Sequence, residues 1–172
     1  EKRWVVKQQG DRASVESLSA ALGMPVQLTN LLVQRGIDTV EKARKFFSPS
    51  LRDLHDPFLM KDMDKAVERI ERAVKSGEKV MIYGDYDVDG TTAVSLVYKF
   101  LRQIGHKNLL FYIPDRYVDG YGISLRSIDH AKRKGVTLVI ALDCGIKAVE
   151  KVAYAKERGV DFIICDHHLP AE

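Results

Sequence analysis

Two cysteines, Cys144 and Cys165, are too few for a disulfide framework in a chain of 172 residues. A chain of this length buries a core without covalent staples, and scarce thiols suit a reducing cytoplasm. Long apolar runs are missing too. None approaches the roughly 18 residues of a membrane span, and Glu1-Lys2-Arg3-Trp4 opens no signal-peptide segment. Nor is there an excess of one charge. The net charge is +3; residues 1–60 carry 9 basic and 7 acidic side chains, and residues 61–172 carry 18 and 17. That balance excludes a histone-like basic surface, so contact with nucleic acid has to be local, through a metal-charged or arginine-lined groove. Neither GxxxxGK[ST] nor GxGxxG occurs, which argues against an ATPase or a dinucleotide enzyme.

What is present, 45% hydrophobic and 30% charged residues, fits one α/β domain preceded by a small helical module. Residues 1–60 read as short helices. Ser14 is placed to cap a turn carrying Val15, Leu18 and Leu22, closed by Gly23. Pro25 opens the next, with Leu28, Leu31 and Leu32, and Thr39 precedes Val40, Ala43, Phe46 and Phe47. Residues 50–61 lack a period and read as a linker, leaving residues 61–172 as the second domain. Asp62 is expected to cap a helix whose one face is Met63, Ala66, Val67, Ile70, Ala73 and Val74.

Four apolar runs follow: Val80–Tyr83, Leu109–Ile113, Leu138–Leu142 and Phe162–Cys165. Helical patterns over Thr91–Ile104, Ser124–Lys134 and Lys147–Arg158, each closed by a glycine, separate them. Short continuous apolar runs alternating with helices predict βαβ units and a parallel sheet flanked by helices, buried on both faces.

Ligands of open α/β sheets bind beyond the C-terminal ends of the strands. There the sequence places Asp85-Tyr86-Asp87-Val88-Asp89-Gly90, then Asp115-Arg116 through Gly120-Tyr121-Gly122, then Asp143-Cys144-Gly145, then Asp166-His167-His168. Every strand end carries acid. Crowded carboxylates repel, and a divalent cation reverses that cost. Carboxylates with imidazole suit Mn²⁺, Mg²⁺ or Zn²⁺, the mixed set favouring Mn²⁺, and two such ions can activate water toward a phosphodiester. Gly84 and Gly90 permit a tight turn, and a helix opening at Thr91 aims its positive end at the same place, which suits phosphate. Arg116 is placed to clamp a phosphate, or else to pair with a nearby Asp. In extended geometry His167 and His168 point to opposite sides, so one is expected to bind metal and the other to donate a proton or hold a phosphate. Cys144 and Cys165 are expected to pack beside the site as small apolar groups, and His55, His106 and His130 to be surface or packing residues.

Two other chemistries share the acidic loop. An EF-hand needs a Glu where this chain has Leu96, and a helix where a strand is expected. A dehalogenase-type phosphatase would use Asp85 or Asp87 as a nucleophile but leaves Asp166-His167-His168 without a role.

In their order along the chain, Tyr83 to Gly90, Pro114-Asp115-Arg116 to Gly120-Tyr121-Gly122, Asp143-Cys144-Gly145 and Asp166-His167-His168 resemble the four motifs of the DHH phosphoesterase family. The second motif and the Leu54-His55-Asp56-Pro57 linker are most similar to its branch of RecJ-type single-strand-specific 5′→3′ exonucleases. The resemblance implies that Asp87, Asp89, Asp143 and His167 are metal ligands, that Asp85, Asp166 and His168 serve catalysis, and that Arg116, Gly90 and Thr91 contact phosphate. It implies Mn²⁺ or Mg²⁺ (two ions), single-stranded DNA as substrate, single-strand-binding protein and a helicase as partners, and a cytoplasmic role in DNA repair and recombination. The family also includes pyrophosphatases, small-oligonucleotide phosphodiesterases and non-catalytic interaction proteins, the alternative readings. Many relatives have a metal-binding His where this chain has Tyr83. The resemblance calls for a further metal-binding Asp, a second domain and an OB-like fold after Glu172. The chain is therefore expected to be the N-terminal part of a longer exodeoxyribonuclease, inactive or impaired alone.

Overall fold

The computed structural model describes residues 3–170. The chain forms two compact units, Glu1–Leu59 and Met60–Glu172.

The first unit holds helices α1 (Arg12–Leu22), α2 (Val26–Val33) and α3 (Val40–Phe47), then two short 3₁₀ turns, Leu51–Asp53 and Pro57–Leu59. Its core is Leu18, Leu32 and Ala43, with Leu22, Met24, Ile37 and Val40 packed around them. The cap of α1 is Asp11, not Ser14. The Asp11 carboxylate accepts both the backbone N–H (2.9 Å) and the hydroxyl (2.8 Å) of Ser14, so the helix begins two residues before Ser14. Thr39 caps α3 as its sequence predicts, accepting from the Lys42 N–H.

The second unit runs α4 (Met63–Ser76), β1 (Val80–Gly84), α5 (Val88–Gln103), β2 (Leu109–Tyr112), α6 (Leu125–Arg133), β3 (Leu138–Leu142), α7 (Val149–Glu157) and β4 (Asp161–Cys165). The strands are parallel in the order β2-β1-β3-β4. Alternate residues go to opposite faces. Val80, Ile82, Leu138 and Ile140 pack with Ala73, Val94 and Leu101 from α4 and α5. Met81, Tyr83, Val139 and Ala141 pack with Ile128, Ala131 and Ala155 from α6 and α7. Each such Ile or Leu contributes about 1.5–3 kcal/mol. Strands β1 and β3 are buried along their whole length, whereas β4, an edge strand, is only half-buried.

At the opposite end of the sheet from the candidate site, Arg69 ties three strand starts together. Its Nε donates to Asp161 at 2.7 Å and its Nη2 to Glu78 at 2.8 Å, while the Thr137 hydroxyl also donates to Glu78.

Candidate metal centre

Strand order and register build the site. After β1 the chain goes to β2 on one side, and from there to β3 on the other side of β1. The crevice at such a reversal, beyond the carboxyl ends of β1 and β3, is where open α/β sheets hold ligands. Gly84 pairs with Leu142, and Leu142 with Cys165. The next residue on each strand is an aspartate, Asp85, Asp143 and Asp166, so three carboxylates leave the sheet at one level.

Helix α5 begins at Val88, three residues before the expected start at Thr91. The Asp87 carboxylate caps it, accepting the Gly90 N–H at 3.0 Å, and the Thr91 hydroxyl donates to the Asp87 carbonyl at 2.7 Å. Asp89, Gly90 and Thr91 thus lie in the first turn, with the helix's positive end at the crevice. The junction is tight. A Cβ on Gly90 would sit 2.4 Å from the Asp85 carbonyl oxygen, and one on Gly84 would sit 2.4 Å from Val94 and 2.7 Å from the Gly90 oxygen. Glycine at both positions lets the strand and the helix start meet backbone to backbone.

Asp85 is buried, and its carboxylate accepts the Tyr86 N–H at 2.8 Å. Burial holds its pKa above the ordinary carboxylate range, and the charges of Asp87 and Asp143 push in the same direction. Asp143 has a positive φ of 60°, rare for a non-glycine residue, and its N–H donates to the Cys165 carbonyl at 2.8 Å. Its carboxylate meets His167 Nε2 at 3.1 Å. Donor atoms of Asp143, His167 and His168 all lie within 4.8 Å of one another. Two donors on opposite sides of one ion, each at about 2.2 Å, are about 4.4 Å apart, so Asp143 and His167, 3.1 Å apart, are close enough to hold one cation. Asp89, Asp143 and His167 line one groove of about 1350 Å³ along β4.

The two histidines are not on opposite sides. Their rings lie 4.6 Å apart at 33°, because the chain bends at His168. Its backbone N–H (3.0 Å) and its Nδ1 (2.7 Å) both meet Asp166 Oδ1. The other Asp166 oxygen accepts the Ile146 N–H at 2.9 Å. Burial would raise the Asp166 pKa, but the hydrogen bonds from Ile146 and His168 outweigh it and hold the carboxyl below its usual range. The hydrogen bond to Asp166 raises the pKa of His168. A carboxylate that fixes one ring nitrogen orients the other, as carboxylates behind metal-bound histidines do.

Arg116 forms no ion pair among the described residues; its guanidinium stacks over the Tyr86 ring, 4.7 Å from the centroid. Cys144 is buried and its thiol is pushed up to about 12, chiefly by burial and then by the surrounding aspartates, so it stays an inert thiol. Cys165 is exposed, contrary to expectation, because it ends an edge strand. His106 is buried with Nε2 unpartnered, and His130 packs on Tyr112.

Three residues make contacts that the sequence pattern does not announce. The buried Tyr83 hydroxyl donates to the Gly122 carbonyl at 2.7 Å, so Tyr83 serves the second motif and not the cation. Asp119 accepts from Tyr112, Asp115 and Ser124. Tyr121 stands edge-on to both Tyr86 and His168, 6.4 Å from each. Their positions inside the first motif, for Tyr83, and the second, for Asp119 and Tyr121, are the available signal.

Both the sequence and the fold have matches among known proteins. Residues 79–172 match the family model described as DHH family, N-terminal domain. The chain is 44% identical over 168 residues to the single-stranded-DNA-specific exonuclease RecJ of Bacillus subtilis, covering 98% of this chain and 21% of that relative. It is 30% identical over 124 residues to the exonuclease of the same name from Thermus thermophilus, covering 70% of this chain and 18% of the relative. The chain therefore spans about a fifth of the length of these relatives. A crystal structure of exonuclease RecJ bound to manganese superposes with a TM-score of 0.60 at 29% identity, over 66% of this chain and 29% of that one. A crystal structure of Thermus thermophilus RecJ in complex with Mn²⁺ shares the fold over 99% of this chain and 23% of that one, with a TM-score of 0.74 at 24% identity.

Proposed function

The chain belongs to the DHH family, and on that premise we propose that it is the metal-holding part of a single-stranded-DNA-specific 5′→3′ exonuclease. One observation carries the reading. Three aspartates leave the sheet at one level at its reversal point, and Asp143, His167 and His168 bring their donor atoms within 4.8 Å of one another. The similarity to RecJ exonucleases, and to a RecJ structure containing manganese, supports both the substrate class and the cation.

In this reading Asp143 and His167, with Asp87 and Asp89 from the start of α5, hold Mn²⁺ or Mg²⁺, with two ions in the active enzyme. A divalent ion there neutralises the crowded carboxylates and polarises a phosphodiester. Asp85, costly to ionise in its buried position, gains its charge when a cation is near. His168, kept basic by Asp166, holds a phosphate oxygen or gives a proton to the leaving oxygen. Arg116 faces the phosphate backbone; the N–H groups of Gly90 and Thr91 are taken by Asp87, so these two residues act on phosphate through the positive end of α5 and the Thr91 side chain's position there. Single-stranded DNA is the partner this reading requires. Contacts with single-strand-binding protein and a helicase, and a cytoplasmic role in repair and recombination, belong to the same reading. Among the described residues, no helix is long and apolar enough to cross a membrane.

The test is hydrolysis by the protein carried to the length of its relatives, with Mn²⁺. Mononucleotides should leave single-stranded DNA from the 5′ end, and Asp87→Ala should abolish the release. Hydrolysis of pyrophosphate or dinucleotides with single-stranded DNA untouched would move the chain to another branch of the family. No metal-dependent hydrolysis at all would make it an interaction protein.

A further inference from the structure

Between β2 and α6 the chain runs as an arm over residues 113–124 whose outer side chains have little to pack on. Arg116, Val118 and Tyr121 are exposed, and Tyr117 is 94% exposed. Its two ends are packed, with Pro114, Gly122 and Ile123 buried and Ile123 in the core, but apolar burial does not hold the exposed stretch between them in place. Polar anchors do, and they come from the sheet. The Tyr112 hydroxyl, at the end of β2, donates to Asp119 Oδ2 at 3.0 Å. The same oxygen accepts the Asp115 N–H at 2.9 Å, and Oδ1 accepts the Ser124 hydroxyl at 3.3 Å. Asp119 thus joins the start of the arm to the cap of α6. Asp115 in turn accepts the N–H groups of Tyr117 and Val118 at 2.8 and 3.0 Å. At the far end, Tyr83 donates to Gly122 at 2.7 Å. The Tyr83 and Tyr112 rings stack at 5.4 Å and 7°, so the two anchors are one rigid pair on adjacent strands. Tyr83 is also two residues from Asp85. The strand that carries the first buried carboxylate of the site therefore also carries a pin for the arm.

The arm, so held, reaches the site. Arg116 lies over Tyr86, and Tyr121 stands between Tyr86 and His168. We propose that Asp119, anchored by Tyr112 and seconded by Tyr83, is a positioning residue that fixes Arg116 and Tyr121 beside the metal centre so that they meet the substrate's terminal phosphate. None of the three touches the substrate; each acts through the arm. The inference rests on the reading of the site as a phosphodiesterase centre. A displacement of about 1 Å at a positioned group costs up to roughly 10²-fold, so loosening the arm has a measurable effect.

The test uses the protein carried to the length of its relatives, with Mn²⁺ and a 5′-phosphorylated, phosphorothioate-linked thymidine tetranucleotide as the probe, with affinities from calorimetry and amide exchange by mass spectrometry. Tyr112→Phe and Asp119→Asn should each weaken the probe by about tenfold, leave Mn²⁺ affinity within about twofold, and speed exchange over residues 116–122 but not over α5. Arg116→Ala should weaken the probe with exchange unchanged. Adding Asp119→Asn to Arg116→Ala should cost less than the Asp119→Asn loss alone, the remainder being the share carried by Tyr121, because the carboxylate works through both side chains. A purely structural role predicts additive losses, and additive losses would overturn the proposal. So would Tyr112→Phe, a variant that deletes one hydroxyl, if it quickens exchange while binding the probe as the wild type does. A wild-type chain that holds Mn²⁺ but not the probe also overturns it, and one that holds neither brings down the reading of the site as well.

Discussion

Replacing Gly90 by alanine sets two effects of known size against each other. Gly90 is the third residue of α5, and glycine inside a helix costs roughly 0.5–1 kcal/mol relative to alanine. Propensity alone therefore predicts that Gly90→Ala stabilises the protein. The geometry predicts the reverse. The new methyl would lie 2.4, 2.5 and 2.8 Å from the O, N and C of Asp85, where ordinary contact begins at 3.4 Å. The obstacle is backbone, not the end of a flexible side chain, so α5 and β1 have to part by about 1 Å. Overpacking of this kind costs typically about 1–3 kcal/mol, and with backbone as the obstacle the upper part of that range applies, which leaves a net loss of up to about 2.5 kcal/mol after the propensity gain. The part of the chain that moves carries Asp85 and Asp87, so Mn²⁺ affinity should fall about 10-fold or more, as it does when the support of metal ligands is removed. Urea unfolding followed by circular dichroism reads the first effect and calorimetric Mn²⁺ titration the second. Thr92→Ala, exposed on the same helix, is the control and should gain a few tenths of a kcal/mol. A Gly90→Ala chain as stable as wild type and with unchanged Mn²⁺ affinity would refute the argument that backbone contact at this junction shapes the site.

Two further outcomes follow from the ionisable groups. Hydrogen bonds from Thr137 and then Arg69 hold the Glu78 pKa below its ordinary 4.5, so its contribution to stability is present above that value and lost as the pH falls through the folded one. Glu78→Gln should therefore lower stability at neutral pH and flatten its loss below about pH 4.5, in urea unfolding measured at several pH values. Asp166→Asn should bring the His168 titration midpoint down toward its ordinary 6.5, since the bond to Asp166 is the main cause of its elevation. Imidazole nuclear magnetic resonance shifts across pH 5–9 check this, and an unmoved midpoint would mean the pair is not coupled.

The strands were legible because a parallel sheet buried on both faces leaves an unbroken apolar run: Leu138–Leu142 is β3 residue for residue, and Val80–Tyr83 lacks only Gly84. The acidic ends followed directly, since an aspartate comes immediately after each run or one residue later, after Gly84 and Pro114. The order β2-β1-β3-β4 was not legible. Crossovers decide which strands become neighbours, and periodicity within a strand carries no record of that choice. The early start of α5 was hidden by its own cap: Asp85-Tyr86-Asp87-Val88-Asp89 looks like loop because Asp87 must stay extended to receive Gly90. The histidine pair was misread for a related reason. Extended geometry holds as far as Cys165, but Asp166 takes two bonds from His168 and bends the chain. The roles of Tyr83, Tyr112 and Asp119 depend on contacts across 39 residues in one case and 7 in another, and no local pattern encodes such pairs.

In the proposed site, residues from three strand ends and one helix start act together on a divalent cation. Calorimetric titration of Mn²⁺ into the wild-type chain, Asp143→Ala, His167→Ala and Asp129→Ala tests it most directly, Asp129 being a partner of Tyr154 on α6 and no part of the crevice. The wild type and Asp129→Ala should bind, and the other two should bind at least about 10-fold more weakly. Equal affinity in all four proteins would contradict it.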